Sequence, residues 1–205
     1  MQYISKLGIL GGTFDPIHNG HLHVATTVLE KLGLDEVRLI PCYQPVHREQ
    51  PLATPAQRLM MTQLACEDHA KLNCADTEFK RGGKSYMIET LQTIKESNID
   101  SQLYLIIGHD AFMNFTSWKD WQGILEIVHL IVVKRPHVLA SPHPHDLIAG
   151  LSAGPRSSAI EILEINALDI SSTTIRKNIK ENKDISGMLP IKVSHYIKQE
   201  GLYAN

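Results

Sequence analysis

Two stretches of the chain, LYLII at 103–107 and LIVV at 130–133, are apolar without interruption. A strand with one wet face alternates apolar and polar residues, so unbroken runs of this kind belong to strands covered on both faces. Such cover needs helices above and below one sheet, and this restricts the fold more than any other feature of the chain. Leu7–Leu10, Val37–Ile40 and Ile160–Ile165 are further strand candidates, and KLNCADTEF at 71–79 is a fainter sixth. Helical patterns lie between them: His21–Lys31, the stretch TPAQRLMMTQLACEDH, Met87–Glu96, Trp118–Ile127, Ser172–Lys180 and Ile191–Glu200. Thr54, Pro55 and Gln57 form a capping box with proline at the first helical position. The alternation predicts an α/β fold with a mainly parallel sheet, helices on both faces and right-handed crossovers. Ligands of such sheets sit beyond the carboxyl ends of the strands. At 205 residues, the expectation is one domain over 1–205, its C-terminal helical part (about 170–205) packed on the sheet.

The formal net charge of −2 speaks against a broad nucleic-acid surface, which needs a basic face. It leaves room for a local anion pocket. Three cysteines, Cys42, Cys66 and Cys74, are too few for a disulfide scaffold and suggest a reducing, cytoplasmic setting. The start MQYISKLGILGG has no leader pattern, and no run nears the ~20 apolar residues of a membrane span.

Immediately after the first strand comes GGTFDPIHNGH. At that place it is a strand-to-helix loop on the ligand side of the sheet. Gly11 and Gly12 remove side chains, so backbone N–H groups can approach an anion. Thr13 adds a hydroxyl, and Asp15-Pro16 shapes a turn. His18 and His21 are three residues apart at a helix start, a spacing that turns both imidazoles to one site, and Gly20 leaves room between them. Imidazoles and a helix N-terminus all donate to a phosphate. A zinc site would need further ligands. Two common nucleotide signatures are absent. No G-x-G-x-x-G follows the strand, and GGKS at 82–85 lacks the first P-loop glycine because Glu78 stands there.

A second motif, ISSTTIR at 170–176, follows the run AIEILEI. Ser171, Ser172, Thr173 and Thr174 crowd a helix start, and Arg176 lies one turn on. Hydroxyls, backbone donors and a forked cation suit a polyphosphate. Cys66, His69 and Cys74 straddle a helix end with no fourth ligand, which favours a structural role. His143 and His145 flank Pro144 in a proline-rich loop.

Together, GGTFDPIHNGHL, PAQRLMM, RGGKSYMIETL, LIIGHDAFMNFTSWKDW, VVKRP and ISSTTIR resemble the nucleotidyltransferase superfamily with the H-x-G-H signature. Within it, the chain resembles the bacterial nicotinate-nucleotide adenylyltransferase family over nearly its whole length. The resemblance implies a Rossmann-like fold and transfer of the adenylyl group of ATP to nicotinate mononucleotide, giving deamido-NAD and pyrophosphate, with Mg²⁺. It implies His18 and His21 as the catalytic pair on the α- and β-phosphates. Gly11, Gly12, Thr13 and Phe14 belong beside the same ATP, as do Gly108, Asp110 and Ile170–Thr173 with Arg176. For the mononucleotide it implies Ser85, Tyr86 and Met87 near the nicotinate carboxylate and Trp118 against the pyridine ring. Lys119 is an electrostatic helper, Asp110 a shared nucleotide contact, and Arg135 and His47 further contacts, with Arg48 beside His47. It implies no metal-ligating residue.

The chain departs from that family in places. Met87 stands where threonine is usual, which removes a hydroxyl from the expected nicotinate end. His109 replaces a small residue in G-x-D, His137 a glycine after Arg135-Pro136, and QPVHR at 44–48 is a looser P-P-H-K. Nicotinamide mononucleotide is the alternative acceptor. A nucleotide-sensing or RNA-binding module that has lost catalysis is the alternative class, against which the intact histidine and ISSTTIR motifs argue. The expected partners are small molecules, with no nucleic acid or membrane and possible self-association.

Overall fold

The computed structural model describes residues 4–46, 50–134, 160–166 and 168–204. His47, Arg48, Arg135, His137, His143 and His145 lie outside them. Among the described residues six strands form one sheet: β1 Lys6–Gly12, β2 Glu36–Pro41, β3 Leu72–Cys74, β4 Gln102–Gly108, β5 Val128–Lys134 and β6 Ile160–Glu164. All pairs are parallel, in the order β3-β2-β1-β4-β5-β6. Chain order reverses between β1 and β4, which places a crevice at their carboxyl ends.

The unbroken apolar runs are explained by the two cores they serve. Leu7, Ile9, Leu105, Ile107, Leu130 and Val132 point to one side, against helix α4 (Met87–Ser97) and helix α6 (Trp121–Ile127) through Ile88, Leu91, Ile94 and Ile124. Their neighbours Leu10, Ile106, Ile131 and Val133 point to the other. There they meet helix α1 (Asn19–Leu32), helix α2 (Pro55–Cys66), and two C-terminal helices, α7 (Ser172–Lys180) and α8 (Ile191–Gln199), through Leu22, Met61, Ile175, Val193 and Ile197. Short helices α3 (Thr77–Arg81) and α5 (His109–Phe112) complete the set among the described residues. No helix among the described residues is long and apolar enough to cross a membrane.

The capping box at α2 is present: Thr54 Oγ1 accepts from Gln57 N at 3.3 Å, and Gln57 Oε1 accepts from Thr54 N at 3.0 Å. Two elements differ from expectation. KLNCADTEF divides into β3 and the start of α3, because Asp76 opens a helical turn after only three strand residues. The helix expected from Trp118 begins at Trp121. Asp120 caps it, accepting from Gly123 N at 3.1 Å, and Trp118 instead ends a 3-10 turn, Phe115–Ser117, in extended backbone.

Candidate active site

β1 runs two residues further than its apolar core, because Gly11 and Gly12 pair with Ile40 and Pro41 of β2. Side chains of the protein itself take the space beside these glycines. A Cβ on Gly11 would stand 2.6 Å from Met87 Cε. The loop that follows is held by buried charge. Asp15 accepts from the backbone N–H groups of Leu52 (2.9 Å) and Ala53 (3.0 Å) and from the Tyr203 hydroxyl (2.8 Å). Burial, with the Asp15 carboxylate beside it, raises the Tyr203 pKa, so the phenol keeps its proton and donates it. Arg58, fully buried on α2, donates to the carbonyls of Thr13 (2.9 Å), Cys42 (2.6 Å) and Tyr43 (3.0 Å). The Tyr43 N–H in turn donates to the buried Glu78 at 3.0 Å.

His18 stands at the N-cap position of α1, and its ring lies almost parallel to that of His21, with centroids 3.7 Å apart. A Cβ on Gly20 would come within 3.0 Å of the His18 ring, so this glycine makes room for the imidazole as well as lining the cavity. Burial lowers the His18 pKa to about 4, which leaves the ring neutral near pH 7. His21 Nδ1 accepts from the His18 backbone N–H at 3.2 Å. An accepting Nδ1 puts the proton of a neutral ring on Nε2. Phe14, at φ 50° and buried, backs His21 edge-on at 5.0 Å.

The second motif comes to the first. Ser171 caps α7 by accepting from Thr174 N at 3.1 Å. Ser172 Oγ donates to the Pro16 carbonyl at 2.9 Å, and Arg176 Nη1 donates to the Asp15 carbonyl at 2.8 Å. Thr173 is exposed. A cavity of about 440 Å³ opens beside this junction. Of the residues expected at the ATP site, His18, His21, Gly108, Asp110 and Ile170 line it. Sequence reasoning missed Val24, His109, Val133, Lys134 and Leu168, which also line it.

The residues expected at the mononucleotide form a second group. Ser85 is stitched to the β2 exit loop, its Oγ accepting from Gln44 N at 3.0 Å and its own N–H donating to the Gln44 carbonyl at 2.9 Å. Met87 reaches from the start of α4 to Gly11. Lys119 lies 4.4 Å above the Tyr86 ring and 2.6 Å from Glu89, whose other oxygen is 3.7 Å from Arg81. The Glu89 carboxylate raises the Lys119 pKa. Trp118 packs at 5.4 Å on Phe115, half-buried. Among the described residues no three His, Cys, Asp or Glu side chains converge as a metal cage would require.

The cytidylyltransferase-like family model matches residues 9–178, which contain both motifs. A "probable nicotinate-nucleotide adenylyltransferase" of Hydrogenovibrio crunogenus is 38% identical, covering 99% of this chain and 100% of its own. One of the same name from Desulfatibacillum aliphaticivorans is 39% identical, covering 97% and 99%. The chain belongs to the nicotinate-nucleotide adenylyltransferase family, within the cytidylyltransferase-like proteins. For the fold, the Plasmodium falciparum nicotinic acid mononucleotide adenylyltransferase complexed with NaAD superposes with a TM-score of 0.76 over 97% of each chain, at 21% identity. In this adenylyltransferase-family chain, Asp15, Arg58 and Tyr203 are the supporting residues that sequence reasoning did not assign. Asp15 reads locally as a turn former, and the Arg58–Thr13 and Tyr203–Asp15 bonds span 45 and 188 residues. Only PAQRLMM, as a motif of the resemblance, hinted at Arg58.

Proposed function

We infer that this chain joins ATP and nicotinate mononucleotide to give deamido-NAD and pyrophosphate, a nucleotidyltransferase step in NAD biosynthesis. The observation that carries the reading is the junction of the two motifs: Ser172 and Arg176 bond to the Asp15–Pro16 turn that precedes His18, and Ile170 of the second motif lines one cavity with His18 and His21. Family membership supports the same reaction.

An oxygen of the mononucleotide 5′-phosphate attacks the α-phosphorus of ATP. The bond from that phosphorus to the bridging oxygen breaks, and its electron pair leaves with pyrophosphate. The nucleophile is already an anion, so no strong base is needed. The task is to hold two polyanions in line and stabilise growing charge. His18 and His21 donate to α- and β-phosphate oxygens, from neutral rings held stacked. The backbone at Gly11–Gly12 with Thr13 and Phe14 flanks the same phosphates. Ile170 walls the nucleotide, and Ser171, Ser172, Thr173 and Arg176 steady the leaving pyrophosphate with the donors not used on the turn. Asp110 takes the ribose, through its exposed carboxylate at the end of β4. Magnesium would come with ATP and supply positive charge against the phosphates, held with few protein ligands, since Asp110 is the only carboxylate among the described residues lining the cavity.

For the acceptor, Trp118 stacks on the pyridinium, Ser85, Tyr86 and Met87 with their backbone amides meet the carboxylate, and Lys119 adds positive charge. Arg135 and His47 remain contacts proposed from the sequence. The three free cysteines among the described residues fit the cytoplasm. A matched assay with ATP, Mg²⁺ and either mononucleotide tests the reading. Pyrophosphate release with preference for the acid is expected. A clear preference for nicotinamide mononucleotide would overturn the acceptor, and no release with either would overturn the enzyme.

A further inference from the structure

We propose that His109 contacts substrate directly, its Nε2 bonding to an oxygen of the ribose–phosphate part of the adenine nucleotide. The identity of that nucleotide rests on the reaction inferred above. His109 lies between Gly108 and Asp110 where β4 ends, and it is one of the residues lining the same cavity as His18 and His21. Its Nε2 is shut off from solvent and has no hydrogen-bond partner among the described residues. His18 Nδ1 is in the same state. Buried polar atoms are nearly always paired, so two orphaned imidazole nitrogens on one cavity mark a place where a ligand supplies the partners.

The chemistry of the walls selects the ligand. Val24, Val133, Leu168 and Ile170 give an apolar side suited to a base, while the imidazoles, Lys134 and Asp110 give a polar side. A nucleotide carries both characters in one molecule. The Asp110 carboxylate would repel a phosphate and attract ribose hydroxyls, which places His109 next to the ribose and the phosphate joined to it. The χ2 torsion of histidine is soft, so a ligand in the cavity would need only a ring turn to meet Nε2. Beside Gly108 there is open space, with nothing but its chain neighbours within 4 Å of where a Cβ would stand, so the ligand has room to lie against this turn.

The test is positional. The amide nitrogen of glutamine reaches about as far as Nε2, whereas that of asparagine stops near Nδ1. ATP binding is measured by calorimetry without mononucleotide for wild type, His109→Ala, His109→Asn and His109→Gln, together with KM for each substrate and the melting temperature. Alanine and asparagine should weaken ATP binding about tenfold, as one lost hydrogen bond to a charged or polar ligand does. Glutamine should stay within about threefold of wild type, with mononucleotide KM and melting unchanged. Unchanged ATP affinity in His109→Ala, equal behaviour of asparagine and glutamine, or a parallel loss of melting temperature would each overturn the proposal. The binding arm needs no turnover. A wild-type protein that binds ATP with this pattern but makes no deamido-NAD would refute the reaction and leave the His109 contact standing.

Discussion

The two halves of the site are built differently. Around Asp15 and Arg58 the groups are buried and bonded to backbone, so the loop bearing His18 is held by the fold. Around Glu89 the contacts are between side chains, and Lys119 is exposed. Charges fixed before the substrate arrives cost nothing to reorganise during reaction, which suits the end proposed above to meet the reacting phosphates. Long exposed side chains are weakly held, and they suit an end proposed to admit the acceptor and release the product. On the assignment proposed above, the difference teaches that a preorganised phosphate end stands against an adjustable acceptor end.

The comparison is broken most directly at its rigid end. Arg58→Ala leaves the carbonyls of Thr13, Cys42 and Tyr43 without this donor and opens a cavity. It should cost about 3 kcal/mol or more in urea unfolding, with turnover falling as the loop loosens. A loss under about 1 kcal/mol would show that the loop stands without this clamp. His18→Ala and His21→Ala should each lower kcat by about 100- to 1,000-fold with melting nearly preserved, since a charge-stabilising donor is lost. Near-normal turnover in both would reject their role.

The buried ring also makes stability depend on pH. The folded His18 pKa, about 4, lies below the ordinary value near 6.5. Below pH 6.5 the unfolded chain therefore binds a proton that the folded chain refuses. The stability contributed is complete above pH 6.5 and drains away as pH falls towards 4, by at most roughly 3 kcal/mol. Urea unfolding of wild type and His18→Gln between pH 7 and pH 4.5 isolates this part. The variant should lose less stability, and parallel profiles would mean that the ring is not held neutral.

The smallest effect is expected at the adjustable end. Lys119→Met should lower the acid-over-amide ratio of kcat/KM a fewfold, with melting unchanged. An unaltered ratio would move acid recognition to the backbone of Ser85–Met87, and a loss of melting temperature would show that this end is rigid after all.

Much of the layout was legible because it is written in local pattern. Unbroken apolar runs marked strands serving two cores, and Thr54 with Gln57 marked a helix start. The i, i+3 spacing of His18 and His21 anticipated two rings at one site, which are stacked. Trp118 shows where local pattern fails. Local pattern assigns this apolar residue to the neighbouring helix, whereas the Asp120 cap starts the helix later.

Sequence alone determined the strands, the helices flanking them and the two phosphate-type motifs, because those follow from periodicity and from residue chemistry within one or two turns. Tertiary structure alone decided that Tyr203 and Arg176 converge on Asp15 across 188 and 161 residues, and that Met87 fills the space beside Gly11. Local spacing cannot encode such meetings. They arise when a parallel sheet gathers its strand ends at one edge and burial leaves each charged group only the partners that the fold brings.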